Sequence, residues 1–134
     1  MLGAGIYPIT IAEMHNYTKD ADRHFEFEEH ERLKTFLALH PESGDVIGGT
    51  GGVRVLHWPI KGTTESPPVR VVYFFRDLNM PLYMLALYRR GERIPLEARS
   101  QKAIKALVEQ LVAEHSEQWA TMLVRQLQGG NELA

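Results

Sequence analysis

Residues 69–90, VRVVYFFRDLNMPLYMLALYRR, constrain the fold more than any other part of the chain. Two apolar runs, Val69–Phe75 and Leu82–Tyr88, flank a polar break that holds Arg76, Asp77, Asn79 and Pro81. β-branched and aromatic residues suit a pleated, half-buried surface, and the break supplies turn formers, so the stretch predicts a β-hairpin. Alternation puts Arg70, Val72, Phe74 and Arg76 on one face of the first strand, and Val71, Tyr73 and Phe75 on the other. Both faces are mostly apolar, which predicts an interior strand. In the second strand the same rule groups Met84, Ala86, Tyr88 and Arg90. Arginines edge the hairpin at positions 70, 76, 89 and 90. They fit either the solvated ends of a core sheet or a platform for an anionic partner.

Upstream, IYPITIA at 6–12 predicts a short strand, with Pro8 near its start or on an edge. Asn16 is a candidate cap for a helix over about 17–24. A stronger helix is predicted over about 27–39, where Phe36 and Leu37 follow Leu33 at helical spacing and glutamates crowd the start. His40-Pro41 and Gly44 stop it. GDVIGGTGG at 44–52 lacks the Lys-Ser/Thr of a phosphate loop and no helix pattern follows, so it predicts a turn or a ligand-shaping loop. VRVLHW at Val53–Trp58 predicts a strand with Arg54, Leu56 and Trp58 on one face and Val53, Val55 and His57 on the other. Arg54 and His57 therefore face different clefts. From about Leu96 the apolar period turns helical through Leu123, as one long helix or two with a break near 115–118, ending before Gly129-Gly130.

The 134 residues predict one domain, with 116–134 as a C-terminal helical extension. The chain has no cysteine, which excludes disulfides, thiolate metal sites and a cysteine nucleophile and suits the cytoplasm. No apolar run nears the ~20 residues that span a bilayer, so no membrane partner is expected. The helical pairs His24/Glu28 and Glu26/His30 each fall short of a metal's ligand set, and neither a metal nor a cofactor is expected. The net charge of −2 hides an uneven distribution. Residues 54–93 hold Arg54, Lys61, Arg70, Arg76, Arg89, Arg90 and Arg93 against only Glu65, Asp77 and Glu92. The acidic residues concentrate in the N-terminal segment. The hairpin region therefore carries a positive local field.

HPESGDVIGGTGGVRVLHW, then VRVVYFFRD, then YMLALYRRGER, resembles the HigB-like branch of the RelE/ParE toxin superfamily. That branch reads close to NPEAGDVIPGTGGLRKLRW, RVIYYY and YLLLVYAKNEKEDL. The match runs in order from about Glu13 to Leu111, and PESGDVIGGTGGVR is its most specific piece. The resemblance implies an α+β fold, with two N-terminal helices packed on a small twisted antiparallel sheet and a long C-terminal helix. It further implies a type II toxin that cleaves mRNA on the ribosome, inhibits translation, and is neutralised by a cognate helix-turn-helix antitoxin as a homodimer or hetero-oligomer. Two alternatives stay open: a catalytically weakened member that mainly binds its antitoxin, and a gyrase-targeting toxin of the ParE kind.

RNA is cut without metal when its own 2′-hydroxyl attacks the adjacent phosphorus. The protein must then align the backbone, move protons and stabilise growing negative charge. Guanidinium groups suit the last task, imidazole the proton transfers, and aromatic rings the stacking of splayed bases. By motif position Arg70 matches the arginine of RVIYYY, Arg90 and Arg93 replace the two lysines of YAKNEK, and Arg54 matches the first arginine of LRKLRW. Arg70, Arg90 and His57 are thus the candidate catalytic residues, and Arg54, Lys61, Tyr73, Tyr88 and Arg93 the candidate RNA-binding residues. Strand-end arginines held by carboxylates and core tyrosines are the bland counterparts. The chain also departs from the pattern. Val55 stands for a lysine, His57 for an arginine, and Glu65 enters a loop that often carries a lysine. Each lost phosphate contact lowers affinity and its salt dependence.

Overall fold

In the computed structural model, residues 9–59, 69–89, 91–95 and 97–133 are described, without the side chains of 118–120, 123 and 129–133. Chain order is β1 (Ile11–Glu13), α1 (His15–His24), α2 (Phe27–Leu39), β2 (Asp45–Val46), β3 (Val53–Trp58), β4 (Val69–Phe74), β5 (Leu82–Tyr88) and α3 (Ala98–Leu133). The strands form one sheet in the order β1-β5-β4-β3-β2. The apolar alternation of β4 gives it neighbours on both edges, and its residues 71–74 are all buried.

This corrects the expected fold. The first described element is a strand, ahead of both helices, and the sheet is five-stranded and mixed. β1 pairs parallel with β5, Ile11 opposite Leu82 and Glu13 opposite Met84, while the other three pairings are antiparallel. Main-chain bonds from Leu82 N–H to Thr10 O (2.9 Å) and from Met14 N–H to Met84 O (2.9 Å) fix the edge. A parallel pair needs a long crossover, here everything from α1 to β4, and local alternation carries no trace of that direction.

Each face of the sheet has its own apolar cluster. Tyr17 and Ala21 of α1 and Leu33 and Leu37 of α2 pack on Val69, Val71, Tyr73, Phe75, Leu82 and Met84. Trp58 ties β3 to α2, its Nε1 donating to Glu29 Oε1 at 2.7 Å. On the opposite face Val108 and Leu111 of α3 pack on Val53, Val72 and Phe74, with Ile104, Leu107 and Val112 beside them. α3 is one continuous helix through 115–118 and through Gly129-Gly130, so neither the break nor the stop signal operates. At 1.5 Å per residue it is about 54 Å long, more than twice the length of a seven-residue strand, so its C-terminal half overhangs the sheet. Met122, Val124 and Leu127 on that half are exposed.

The hairpin contains a feature that alternation hides. Val72 pairs with Ala86 but Tyr73 pairs with Met84, leaving Leu85 as an extra residue in β5. This bulge reverses the parity of β5. Leu82 and Met84 belong to the helix-pair cluster, whereas Ala86 and Tyr88 belong to the α3 side. The expected grouping of Met84 with Tyr88 therefore fails, and Tyr88 is delivered to the face of Arg70.

The glycine-rich loop is packed, not merely flexible. A Cβ on Gly44 would meet Tyr73 Oη at 2.8 Å and Val55 O at 2.9 Å. Gly52, at φ +125°, holds a backbone conformation that other residues rarely adopt, and a Cβ there would meet Phe75 O at 3.0 Å. Between them Thr50 is fully buried, its Oγ1 donating to Ile47 O (2.6 Å) and accepting from Val53 N–H (3.2 Å). The loop also contains β2, which the sequence does not announce.

Candidate nucleic-acid interface

Register assembles the site. His57 on β3 lies opposite Arg70 on β4, and Arg70 lies opposite Tyr88 on β5. Directly opposed residues share a face and bring their Cβ atoms within about 4.5–5.5 Å, so the three form one row across the sheet. The row lies on the α3 side, four strand pairs beyond the Val53–Phe74 pair that α3 covers. His57 is exposed, Arg70 and Tyr88 half-buried.

Arg70 has a second task. Its Nη2 donates to Arg89 O at 2.8 Å and to Glu92 O, clasping the turn that follows β5. Inside this turn Glu92 N–H donates to Arg89 O at 3.1 Å, and Gly91 takes the left-handed conformation (φ +82°). The Glu92 carboxylate accepts from Arg89 N–H (2.9 Å) and Arg89 Nε (3.2 Å). Those bonds hold the exposed Glu92 carboxyl below the usual carboxylate range, the main-chain N–H having the largest effect. Burial, then the charges of Glu92 and Asp20, push the Tyr88 phenol up against the opposing pull of Arg70. Tyr88 therefore stays protonated near neutral pH, as a hydrogen-bond donor or a stacking face but not a base. His57 is the group of the row suited to accepting a proton.

Arg54 and Tyr73 are not part of this row. They lie opposite each other on the helix-pair face. Arg54 Nη1 donates to Glu42 O (3.1 Å) and Gly44 O (2.8 Å). The Tyr73 hydroxyl donates to Pro41 O (2.8 Å) and accepts from Gly44 N–H (2.8 Å), and the residue is wholly buried. Both anchor the loop between α2 and β2, which is a structural use. Tyr73 cannot offer its ring to a base. Arg93 is highly exposed and faces Glu97 at 4.0 Å, apart from the row's hydrogen bonds. Lys61 and Arg90 lie outside the described residues.

The sequence names Arg89 only as one of the arginines edging the hairpin and gives Glu92 no role, although Arg-x-Gly-Glu after a strand is a turn signal with an i,i+3 ion pair inside it. A second polar group was also missed. At the other end of β4, Arg76, Asp77, Asn79, Met80, Val112, His115 and Ser116 line a cleft of about 390 Å³. A ring nitrogen of His115 lies 3.1 Å from Asn79 O, linking α3 to the β4–β5 turn. Among the described residues there is no group of three or more His, Asp or Glu placed to hold a metal ion, and no helix long and apolar enough to cross a membrane. No protein-family model matches the chain.

Proposed function

We propose that the protein is a HigB-like toxin of the RelE/ParE superfamily that cleaves mRNA on the ribosome and is held in check by a helix-turn-helix antitoxin. The observation that carries the reading is the register row His57–Arg70–Tyr88, which aligns a proton acceptor, a fixed cation and a protonated phenol on one face. In this scheme His57 takes the proton of the RNA 2′-hydroxyl as its oxygen bonds to phosphorus. Arg70 faces the charge that grows on the non-bridging oxygens. The bond to the 5′-oxygen breaks, and that oxygen leaves with a proton from Tyr88 or from the imidazolium. The ends formed are a cyclic 2′,3′-phosphate and a 5′-hydroxyl. No step needs a metal.

The test is to induce the protein alone in bacteria and follow growth and transcript ends, with His57→Ala and Arg70→Ala beside it. The reading expects growth arrest with new cuts inside translated messages, lost in both variants. Folded protein that causes neither arrest nor cuts contradicts it, and arrest with DNA breaks but intact messages favours a gyrase target. One observation supports a second reading, a weakened enzyme that serves mainly to bind its antitoxin. Arg70 is already bonded to Arg89 O and Glu92 O, which stiffens the turn and leaves it less able to follow a moving phosphate.

A further inference from the structure

The turn after β5 is built like an oxyanion cradle. Two donors of one residue, Arg89 N–H and Arg89 Nε, converge on a single carboxylate oxygen, Glu92 Oε1, at 2.9 and 3.2 Å. Arg70 holds the main chain of the same turn through Arg89 O and Glu92 O, so the Arg89 N–H stays aimed whether or not the carboxylate is present. The cradle begins one residue after Tyr88 and therefore borders the His57–Arg70–Tyr88 row. Its occupant is a carboxylate on an exposed side chain, and exposed ion pairs of this kind are weak. A phosphate oxygen presents the same acceptor with charge-assisted geometry.

We propose that Glu92 is a built-in phosphate mimic that occupies the Arg89 cradle until an RNA backbone phosphate displaces it. Tethered three residues from the donors, the carboxylate competes at high effective concentration. A lone phosphate competes poorly against it. A strand that also engages the neighbouring row displaces it, so the cradle discriminates polyanionic backbone from free phosphate. This inference rests on the RNA reading of the row and adds a site and its regulation to it.

The test uses full-length protein and a short single-stranded RNA made uncleavable by 2′-O-methyl groups, with inorganic phosphate as a second probe. Glu92→Gln keeps an acceptor for the turn but removes the charge, and should tighten RNA binding about two- to fivefold, as expected for loss of an exposed competing ion pair. Glu109→Gln, which removes the same charge from an exposed site on α3, should not. Arg89→Ala, which removes Nε and keeps the main-chain N–H, should weaken binding, and Glu92→Gln should then have a smaller effect than in the wild type. The nitrogen-15 NMR signals of Arg89 N–H and Nε should move with RNA in the wild type, and with inorganic phosphate only in Glu92→Gln. Unchanged or weaker RNA binding by Glu92→Gln, or a gain equalled by Glu109→Gln, overturns the proposal. A structural brace alone predicts such a loss or no change. If messages are not cut on the ribosome but Glu92→Gln still tightens binding, the nuclease reading falls and the cradle stands. If messages are cut and Glu92→Gln changes nothing, the cradle falls alone.

Discussion

On the helix-pair face of the sheet, Arg54 and Tyr73 stand opposite each other and direct their polar atoms to main-chain groups of residues 41–44. On the α3 face, three positions further along β4, His57, Arg70 and Tyr88 stand in a similar row with their outer ends toward solvent. Residue types are nearly the same on the two faces, and their uses differ because of what covers them. Where the helix pair and the glycine loop close over β3 and β4, an arginine and a tyrosine are spent on the main-chain carbonyls of Pro41, Glu42 and Gly44. Where α3 leaves the row uncovered, His57 is exposed and Tyr88 half-buried, while Arg70 spends Nη2 on the Arg89 and Glu92 carbonyls at the sheet's end. An arginine's position in a motif thus says less than the parity of its strand.

The comparison breaks most sharply at Tyr73. Tyr73→Ala should cost about 3–5 kcal/mol in urea unfolding, because a wholly buried ring is lost. Tyr88→Ala, half-buried, should cost about 1–2 kcal/mol while reducing RNA binding. Equal losses of stability from the two would mean that the faces are not distinct. Next in size is Tyr73→Phe, which removes only the hydroxyl that joins Pro41 O to Gly44 N–H and should cost about 1–3 kcal/mol. Tyr88→Phe should stay within about 0.5 kcal/mol of wild type.

A smaller effect separates the faces by pH. On the helix-pair side, burial lowers the pKa of His30, and Lys34 adds to this, against the opposing charges of Glu13, Glu31 and Asp22. Its Nε2 lies 3.2 Å from Glu13 Oε1 and stacks its ring on Phe25. With the folded pKa below the unfolded 6.5, the unfolded state takes up the proton first. Stability from His30 is thus present above about pH 6.5 and lost as pH falls from there through the folded pKa. His30→Phe should flatten that part of a pH series of urea midpoints. A slope that survives in His30→Phe would place the acid sensitivity elsewhere.

Much of the fold is legible in local pattern. The helix over 27–39 and the strands at 53–58 and 69–74 follow from apolar period and turn formers alone. Three features do not, each for a stated reason. The parallel pairing of β1 is a property of the crossover, not of Ile11–Glu13. The bulge at Leu85 depends on pairing with β4, and an apolar residue there reads the same in or out of register. The glycine loop reads as flexible, but Gly44 and Gly52 are dictated by the close approach of Tyr73, Phe74 and Phe75, and Thr50 by its bonds to Ile47 O and Val53 N–H. Packing therefore accounts for these three residues. The candidate site was legible in residue type but not in grouping. His57 and Arg70 were named for separate reasons, and only register makes them neighbours.

The most direct measurement is a comparison of cleavage on translating ribosomes by wild type, His57→Ala, Arg70→Ala and Arg54→Ala, each first shown by circular dichroism to be folded. The account predicts that the two variants of the α3 face lose on the order of a hundredfold or more in cutting rate. It predicts that folded Arg54→Ala cuts at nearly the wild-type rate while unfolding at lower urea. Loss of cutting in Arg54→Ala with full activity in His57→Ala and Arg70→Ala would contradict it, placing the chemistry on the face that the structure closes.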